Sequence, residues 1–362
     1  MATNKIKKAL IFDPYLDTLG GGERYALTFA LSLLSQGFEV DLAWKNKSDL
    51  EEAELRFGLD LSWLNLSSRG YDICSHRSSI WDRLQFTKQY DLIFWVSDGS
   101  LPFLFARNNL VHFQVPFTRL SGNPLINMIK LAFINKLVYN SQFTRKIIER
   151  SFPSNKGVVL YPPIDTQKFI SGKKENIILS VARFTSPSHS KRQDVLIDAF
   201  KELSSRVKGY RLILTGGHKG DDQVINDLKK RATGLQVEII PNLSFDELRT
   251  IYSKSKFFWH AAGFEIDEEK EPEKVEHFGM TTVEAMSAGC IPVVIAKGGQ
   301  KEIISEETGK LFNTVSELVD LTEKFINDPE QVEAYSKAAI QRSQLYSTTA
   351  FNQKVSSLLH PK

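Results

Sequence analysis

Apolar residues along this chain follow two rhythms. Short unbroken runs such as Lys8-Ala-Leu-Ile-Phe12 and Asp91-Leu-Ile-Phe-Trp-Val96 have the length and composition of strands buried on both faces. Between such runs lie segments with apolar residues three and four apart, as at Leu27, Ala30, Leu31 and Leu34. That spacing predicts a helix from Glu23 to Gln36, stopped by Gly37. Further strands are predicted at Phe38–Trp44, Asn109–Phe113 and Lys136–Tyr139. Strand alternating with helix is the order of a doubly wound parallel sheet.

The pattern breaks at Leu160-Tyr-Pro-Pro-Ile-Asp165, where two prolines favour a stiff connector. A second α/β series follows. Strands are predicted at Asn176–Ala182, Tyr210–Thr215, Val237–Ile240, Phe257–Trp259 and Ile291–Ile295, and helices at Asp194–Leu203 and Met280–Ala288. The tail from Asp328 to Leu359 reads as polar helix with spaced apolar residues. The expected fold is therefore α/β, with two Rossmann-like domains, 1–163 and 164–335, and a helical tail, 336–362, packing back on the first. Two such domains in tandem would put a ligand cleft between them, at the carboxyl ends of the strands.

Composition narrows the classes. A length of 362 residues suits two domains, and 42% hydrophobic content supplies their cores. Two distant cysteines, Cys74 and Cys290, argue against a disulfide framework or zinc site and fit a reducing compartment. The basic start, Met1 to Lys8, lacks the apolar stretch of a signal peptide, and no run approaches a membrane span. A cytoplasmic protein is expected, in solution or on a membrane's inner face. Net charge is only +3 but unevenly spread: residues 101–157 carry eight basic side chains and one acid, Glu149. Such a cluster suits an anionic partner, namely membrane, nucleic acid or phosphorylated acceptor, or is simply a solvated face. Within it, Pro124–Asn135 is rich in apolar residues and flanked by Lys130 and Lys136. It reads either as a helix resting on anionic lipid or as a core helix. No recognised nucleic-acid module is present.

Four constellations carry candidate chemistry. Gly20-Gly21-Gly22 lies between a strand and a helix, where backbone amides approach an anion, although a tight turn explains it as well. It is neither a dinucleotide fingerprint nor a P-loop. Arg183, with Lys191 and Arg192 beyond it, leaves the carboxyl end of a strand, where fixed positive charge suits a diphosphate; the alternative is an exposed basic loop. Glu276 and Glu284 flank Phe278-Gly279 and a helix start whose free amides, at Gly279, Met280 and Thr281, suit an anion. Carboxylates also accept hydrogen bonds from paired hydroxyls, as sugars and ribose present. His112 ends a strand, where it either faces a ligand or is a core histidine. The remaining histidines, among them His218, His260 and His277, show no metal-ligand spacing.

Together these segments resemble the retaining GT-B glycosyltransferases of family GT4. The resemblance runs from Gly20-Gly21-Gly22-Glu23-Arg24 through Ser180-Val-Ala-Arg183 to Gly298-Gly299-Gln300, and its most specific part is the E-x7-E pair Glu276 and Glu284. The Glu-His-Phe-Gly form, with Asn140-Ser-Gln-Phe-Thr144 and Leu160-Tyr-Pro-Pro163, is similar to the Alg11/Alg2-like mannosyltransferases and to bacterial surface-glycan enzymes. The resemblance implies transfer of a hexose, with mannose favoured, from a nucleotide-diphosphate sugar to a glycan or lipid-linked acceptor, without metal or other cofactor. It implies Gly21 and Gly22 against the donor's phosphate and sugar, and Arg183 and Lys191 on the diphosphate. It further implies Glu276 with the amides of Gly279 to Thr281 on the sugar, Glu284 on the ribose, and His112 near the reacting centre. Ala182 departs from the glycine usual before the arginine. A loop from Phe184 to Ser190 reads as longer than common, leaving Arg192 a rival to Lys191. The acidic segment Glu265–Lys274 reads as an insertion that caps the cleft or is only solvated. A non-catalytic nucleotide-sugar-binding protein and a GT-B sugar-nucleotide epimerase are the competing readings. The motif residues speak against the first, and product analysis separates the second.

Overall fold

Continuous apolar runs become parallel strands here because helices cover both faces of each sheet, leaving no wet face for polar residues to alternate onto. The computed structural model describes residues 6–75, 78–184, 191–220 and 222–359. The first sheet contains β1 (Lys7–Phe12), β2 (Phe38–Leu42), β3 (Asn65–Leu66), β4 (Leu92–Val96), β5 (Asn108–Phe113), β6 (Lys136–Tyr139) and β7 (Gly157–Val159). Its order is β3-β2-β1-β4-β5-β6-β7, all parallel. The chain steps outward from β1 to β3, then returns to β4 on the other side of β1. The β1/β4 pair is therefore a switch point, and the space beyond its carboxyl ends is where such sheets bind ligands. One face packs on helix Gly21–Ser35 through residues such as Leu27, Phe29 and Leu33. The other face buries Leu10, Ile93, Trp95 and Val111.

The second sheet contains β8 (Glu175–Val181), β9 (Arg211–Gly216), β10 (Val237–Pro241), β11 (Ser255–His260), β12 (Ile291–Ile295) and β13 (Lys310–Phe312). Its order is β10-β9-β8-β11-β12-β13, again parallel, with a switch point at β8/β11. Its core is built from Ile178, Leu212, Phe257, Trp259 and Val293 with helix Gln193–Arg206 and helix Val315–Ile326. Both cysteines are free and buried, and burial pushes their thiols up, to about 12 for Cys74 and about 11 for Cys290.

The chain separates into one unit of residues 1–163 with 351–362 and another of residues 164–350. The tail is two helices. Pro329–Ser343 packs against helix Met280–Ser287 in the second unit, a 3-10 turn at Gln344–Tyr346 interrupts it, and Thr348–Leu359 carries Phe351 and Val355 into the first unit's core. Helix Pro124–Ala132 buries only Asn127 and Leu131 and leaves Leu125, Ile126, Met128 and Ile129 exposed, so it is not a core helix.

Candidate active site

The second unit gathers its chemistry at the carboxyl ends of the switch pair. Arg183 follows β8 by two residues and His260 is the last residue of β11. Glu276 Oε2 accepts a hydrogen bond from Lys191 Nζ at 2.9 Å and lies 3.3 Å from His260 Nε2. The Ala262 amide donates to His260 Nδ1 at 3.4 Å, which leaves the ring proton on Nε2, directed at Glu276. Burial pushes the Glu276 carboxyl up, but Lys191 and His260 outweigh it and hold the group well below the usual carboxylate range. The result is an ionised carboxylate, about 20% exposed, already desolvated and oriented.

Its backbone is braced by Gly298-Gly299-Gln300. The Gly299 amide donates to the Glu276 carbonyl at 2.8 Å. Gly298 has φ +56°, and a Cβ there would overlap that carbonyl oxygen. Gly279 has φ +116° and caps helix Met280–Ser287. Its turn leaves the Met280 and Thr281 amides at the open first turn of the helix, a setting that favours an anion. Gln300 packs beside Gly279, fully buried, with neither amide atom hydrogen-bonded among the described residues. The acidic segment Glu265–Lys274 belongs to this brace. Glu268 accepts the Gly298 amide at 2.6 Å and pairs with Lys301, while Lys297 reaches the Ile266 carbonyl.

Glu284 is buried in the same helix and accepts from the Tyr252 hydroxyl at 3.1 Å. Lys191 and Arg192 go separate ways. Lys191 faces Glu276, whereas the Arg192 guanidinium engages Asp194, the Phe264 carbonyl at 2.9 Å and Glu265 at 3.3 Å. Arg183 is exposed and its side chain has no hydrogen bond or ion pair among the described residues. Residues 185–190, the bulk of the loop read as long, lie outside the described residues.

In the first unit, Gly20 caps helix Gly21–Ser35 and its amide donates to Glu23. A Cβ on Gly22 would fall on Gln114 Oε1. Just after β1 sits Asp13, fully buried, accepting the Tyr15 amide at 3.0 Å. Burial, then the charge of Glu23, push its carboxyl up to about 8. His112 lies wholly in the core. Its ring stacks on Tyr25 at 4.2 Å, its Nδ1 donates to the Val138 carbonyl at 3.1 Å, and burial pushes it down to about 3. It is a neutral packing histidine whose Nε2 has no partner among the described residues, and a sugar reaches it only if neighbours move.

The structure thus brings Lys191, Glu276, Gly279, Met280, Thr281 and Glu284 onto one unit around one helix start, with His260 and Tyr252 added. His260 and Asp13 end or follow strands, the same signal that singled out His112, and were legible by that rule. Tyr252 lies mid-helix and had no such signal.

Residues 19–168 match the family described as Glycosyltransferase Family 4, and residues 163–342 match Glycosyl transferases group 1. The chain is 25% identical over 251 residues to the GDP-Man:Man(3)GlcNAc(2)-PP-Dol alpha-1,2-mannosyltransferase of Dictyostelium discoideum, covering 64% of this chain and 47% of that protein. It spans about half the length of the curated relatives of that kind. Among solved structures, a glycosyltransferase from Rickettsia africae superposes with a TM-score of 0.77 at 17% identity, over 99% of this chain and 100% of that one. Anabaena Alr3699/HepE in complex with UDP and glucose gives 0.69 at 18% identity, over 98% and 99%.

Proposed function

The chain belongs to the GT4-type glycosyltransferases and has the GT-B fold, and from that premise we propose that it moves a hexose, by preference mannose, from a nucleoside diphosphate sugar to a glycan or lipid-linked acceptor with retention at the anomeric carbon. The named mannosyltransferase relative supports the sugar, and the UDP and glucose complex of a fold neighbour supports a nucleotide-sugar donor. The observation that carries the reading is the Lys191–Glu276–His260 group beside the start of helix Met280–Ser287.

In this reading Glu276 accepts hydrogen bonds from donor sugar hydroxyls, aided by the amides of Gly279 to Thr281. Glu284, steadied by Tyr252, takes the ribose. Arg183 and Lys191 take the diphosphate, and the arrival of that anion draws Lys191 off Glu276, freeing the carboxylate for the sugar. Gly21, exposed, and Gly22, half-buried, offer the amides of the helix start to phosphate or sugar, and Nε2 of His112 accepts a sugar hydroxyl once uncovered. The acceptor oxygen attacks the anomeric carbon on the face that the diphosphate leaves. The bond to the diphosphate oxygen breaks, and the acceptor proton passes to the departing diphosphate. Lys191 and Arg183 stabilise the charge that develops there, each contact contributing a few kcal/mol in the transition state. No metal or further cofactor enters. The enzyme acts at the inner face of a membrane; no helix among the described residues is long and apolar enough to cross one.

The division of labour has a direct test. Glu276→Gln should lower transfer by 100-fold or more while nucleotide diphosphate affinity stays within a few-fold, and Glu284→Ala should weaken the nucleotide itself. Equal losses of nucleotide affinity in both variants would refute it. A thermal-shift comparison of GDP, UDP and ADP identifies the base, since a ligand that binds only the native state raises apparent stability.

A further inference from the structure

In the second unit, two non-glycine residues with left-handed backbone meet each other. Arg192 has φ +55° and Glu265 φ +64°, and Nη1 of Arg192 lies 3.3 Å from the Glu265 carboxylate. Left-handed backbone costs free energy in any residue with a Cβ, so it persists only where surrounding contacts hold it. The ion pair is a weak part of that hold, since the Glu265 side chain is 72% exposed. Three contacts are firmer. The Phe264 carbonyl accepts from Arg192 Nη1 at 2.9 Å, the guanidinium lies 5.3 Å from the centroid of the Phe264 ring, and Asp194 accepts from Nε at 3.2 Å.

The neighbours of Arg192 in sequence have other destinations. Lys191 reaches Glu276, and the buried Gln193 donates to the Ala182 and Arg183 carbonyls at 3.4 and 3.2 Å. The turn through Arg192 therefore joins the Lys191 side chain to the backbone of Arg183. Phe264 and Glu265 belong to the segment 261–275, which runs from His260 to Glu276. Its ends meet, because Gly263 has φ +92° and a Cβ there would strike the Val275 side chain. Glu268 and the Ile266 carbonyl fasten this segment to Gly298 and Lys297. Arg192 fastens the same segment to the loop after β8.

We propose that Arg192 is a positioning residue of the donor site: clamped on Phe264 and Glu265, it fixes the backbone from which Lys191 reaches Glu276 and, with donor bound, the diphosphate. The proposal rests on the reading of Lys191 as a diphosphate ligand and deepens it. A lysine on its flexible stem holds an anion in one place only from a fixed backbone. Arg192 itself stays on the segment 261–275 and touches no substrate.

Arg192→Gly tests it, because glycine relaxes the backbone while it removes the clamp. The full chain should fold, with a melting temperature near the parent's. Amide hydrogen exchange over residues 261–275, read by mass spectrometry without ligand, should quicken, since the Phe264 and Ile266 amides bond to the Ala261 and Gly263 carbonyls of the clamped turn. In calorimetric titration with UDP, GDP and ADP, the nucleotide that the parent binds most tightly should lose about tenfold in affinity. The same substitution in a Lys191→Met background should cost no more than about twofold further, because the effect passes through Lys191. Arg192→Asn, whose side chain also tolerates this backbone, should repeat all three results and replaces Arg192→Gly if that variant does not fold. Weaker nucleotide binding with unchanged exchange, or equal losses with and without Lys191, would make Arg192 a direct ligand and overturn the proposal. Faster exchange with unchanged affinity would leave Arg192 a purely structural tie and overturn it as well. If the parent binds none of the three nucleotides, the donor-site reading falls; faster exchange in Arg192→Gly then upholds the clamp, and unchanged exchange overturns it.

Discussion

Asp13 and Glu276 are acids that the fold treats in opposite ways. Lys191 and His260 keep Glu276 ionised, whereas Asp13 accepts the Tyr15 amide on one oxygen and has no partner for the other among the described residues, with Glu23 as a neighbouring negative charge. Its carboxyl, raised from 3.8 to about 8, is neutral in the folded protein at pH 7. Below about pH 4 folded and unfolded chains are both protonated there. As pH rises toward 8 the unfolded chain loses that proton and the folded one keeps it, so this contribution to stability declines through the window. Asp13→Asn keeps the shape and cannot titrate. Its stability relative to the parent should therefore rise from pH 4 to pH 8, by a few kcal/mol at the top, as read by urea denaturation at each pH. A pH-independent difference would mean that Asp13 is ionised in the fold. Gly298 offers a second single-residue test. Alanine there meets the Glu276 carbonyl and an unfavourable positive φ. Gly298→Ala should cost about 1–2 kcal/mol of stability and displace Glu276, so transfer should fall far more than the melting temperature suggests.

Among the elements, the helix Gly21–Ser35 shows how a local preference is overridden by a close approach. Glycine in a first helical turn costs up to about 1 kcal/mol against alanine, yet two glycines stand there. At Gly22 the reason is visible: its bare backbone makes room for the Gln114 side chain, a flexible group that alanine would push aside. Gly22→Ala should leave stability within about 1 kcal/mol, because propensity gained offsets the displaced amide, while kcat/KM falls. An unchanged kcat/KM would make the triple glycine a turn and nothing more. The central strands were legible because each is an unbroken apolar run, and the break at Pro162-Pro163 was legible because proline restricts its neighbours. The edge strands β3, β7 and β13 were not, since two or three residues carry no period. Glu276 and Glu284 were legible by spacing around a glycine. What spacing could not convey is the second ring of contacts: His260, Tyr252 and Glu268 come from 16 to 32 residues away in sequence from the residues they meet, and only the folded sheet brings them to the two glutamates and to Gly298.

At the scale of the molecule, each unit has its own sheet, its own core and its own switch point, and the donor roles proposed for Glu276 and Glu284 fall on the second of the two units. The C-terminal helix bears on the first of these. Phe351 stands edge-on to Tyr25 at 5.3 Å and to Phe29 at 6.4 Å, inside the core that also buries His112 and supports β5. Removing its ring leaves a cavity that helix Thr348–Leu359 closes only in part, so Phe351→Ala should destabilise the first unit by about 3–5 kcal/mol. Two separately cored units need not melt as one. Calorimetric scans of the full chain should then show Phe351→Ala lowering one transition and a saturating nucleotide diphosphate raising the other. If the nucleotide raised the same transition that Phe351→Ala lowers and left the rest unmoved, the donor would belong to the first unit, and the roles given to Glu276 and Glu284 would fail together.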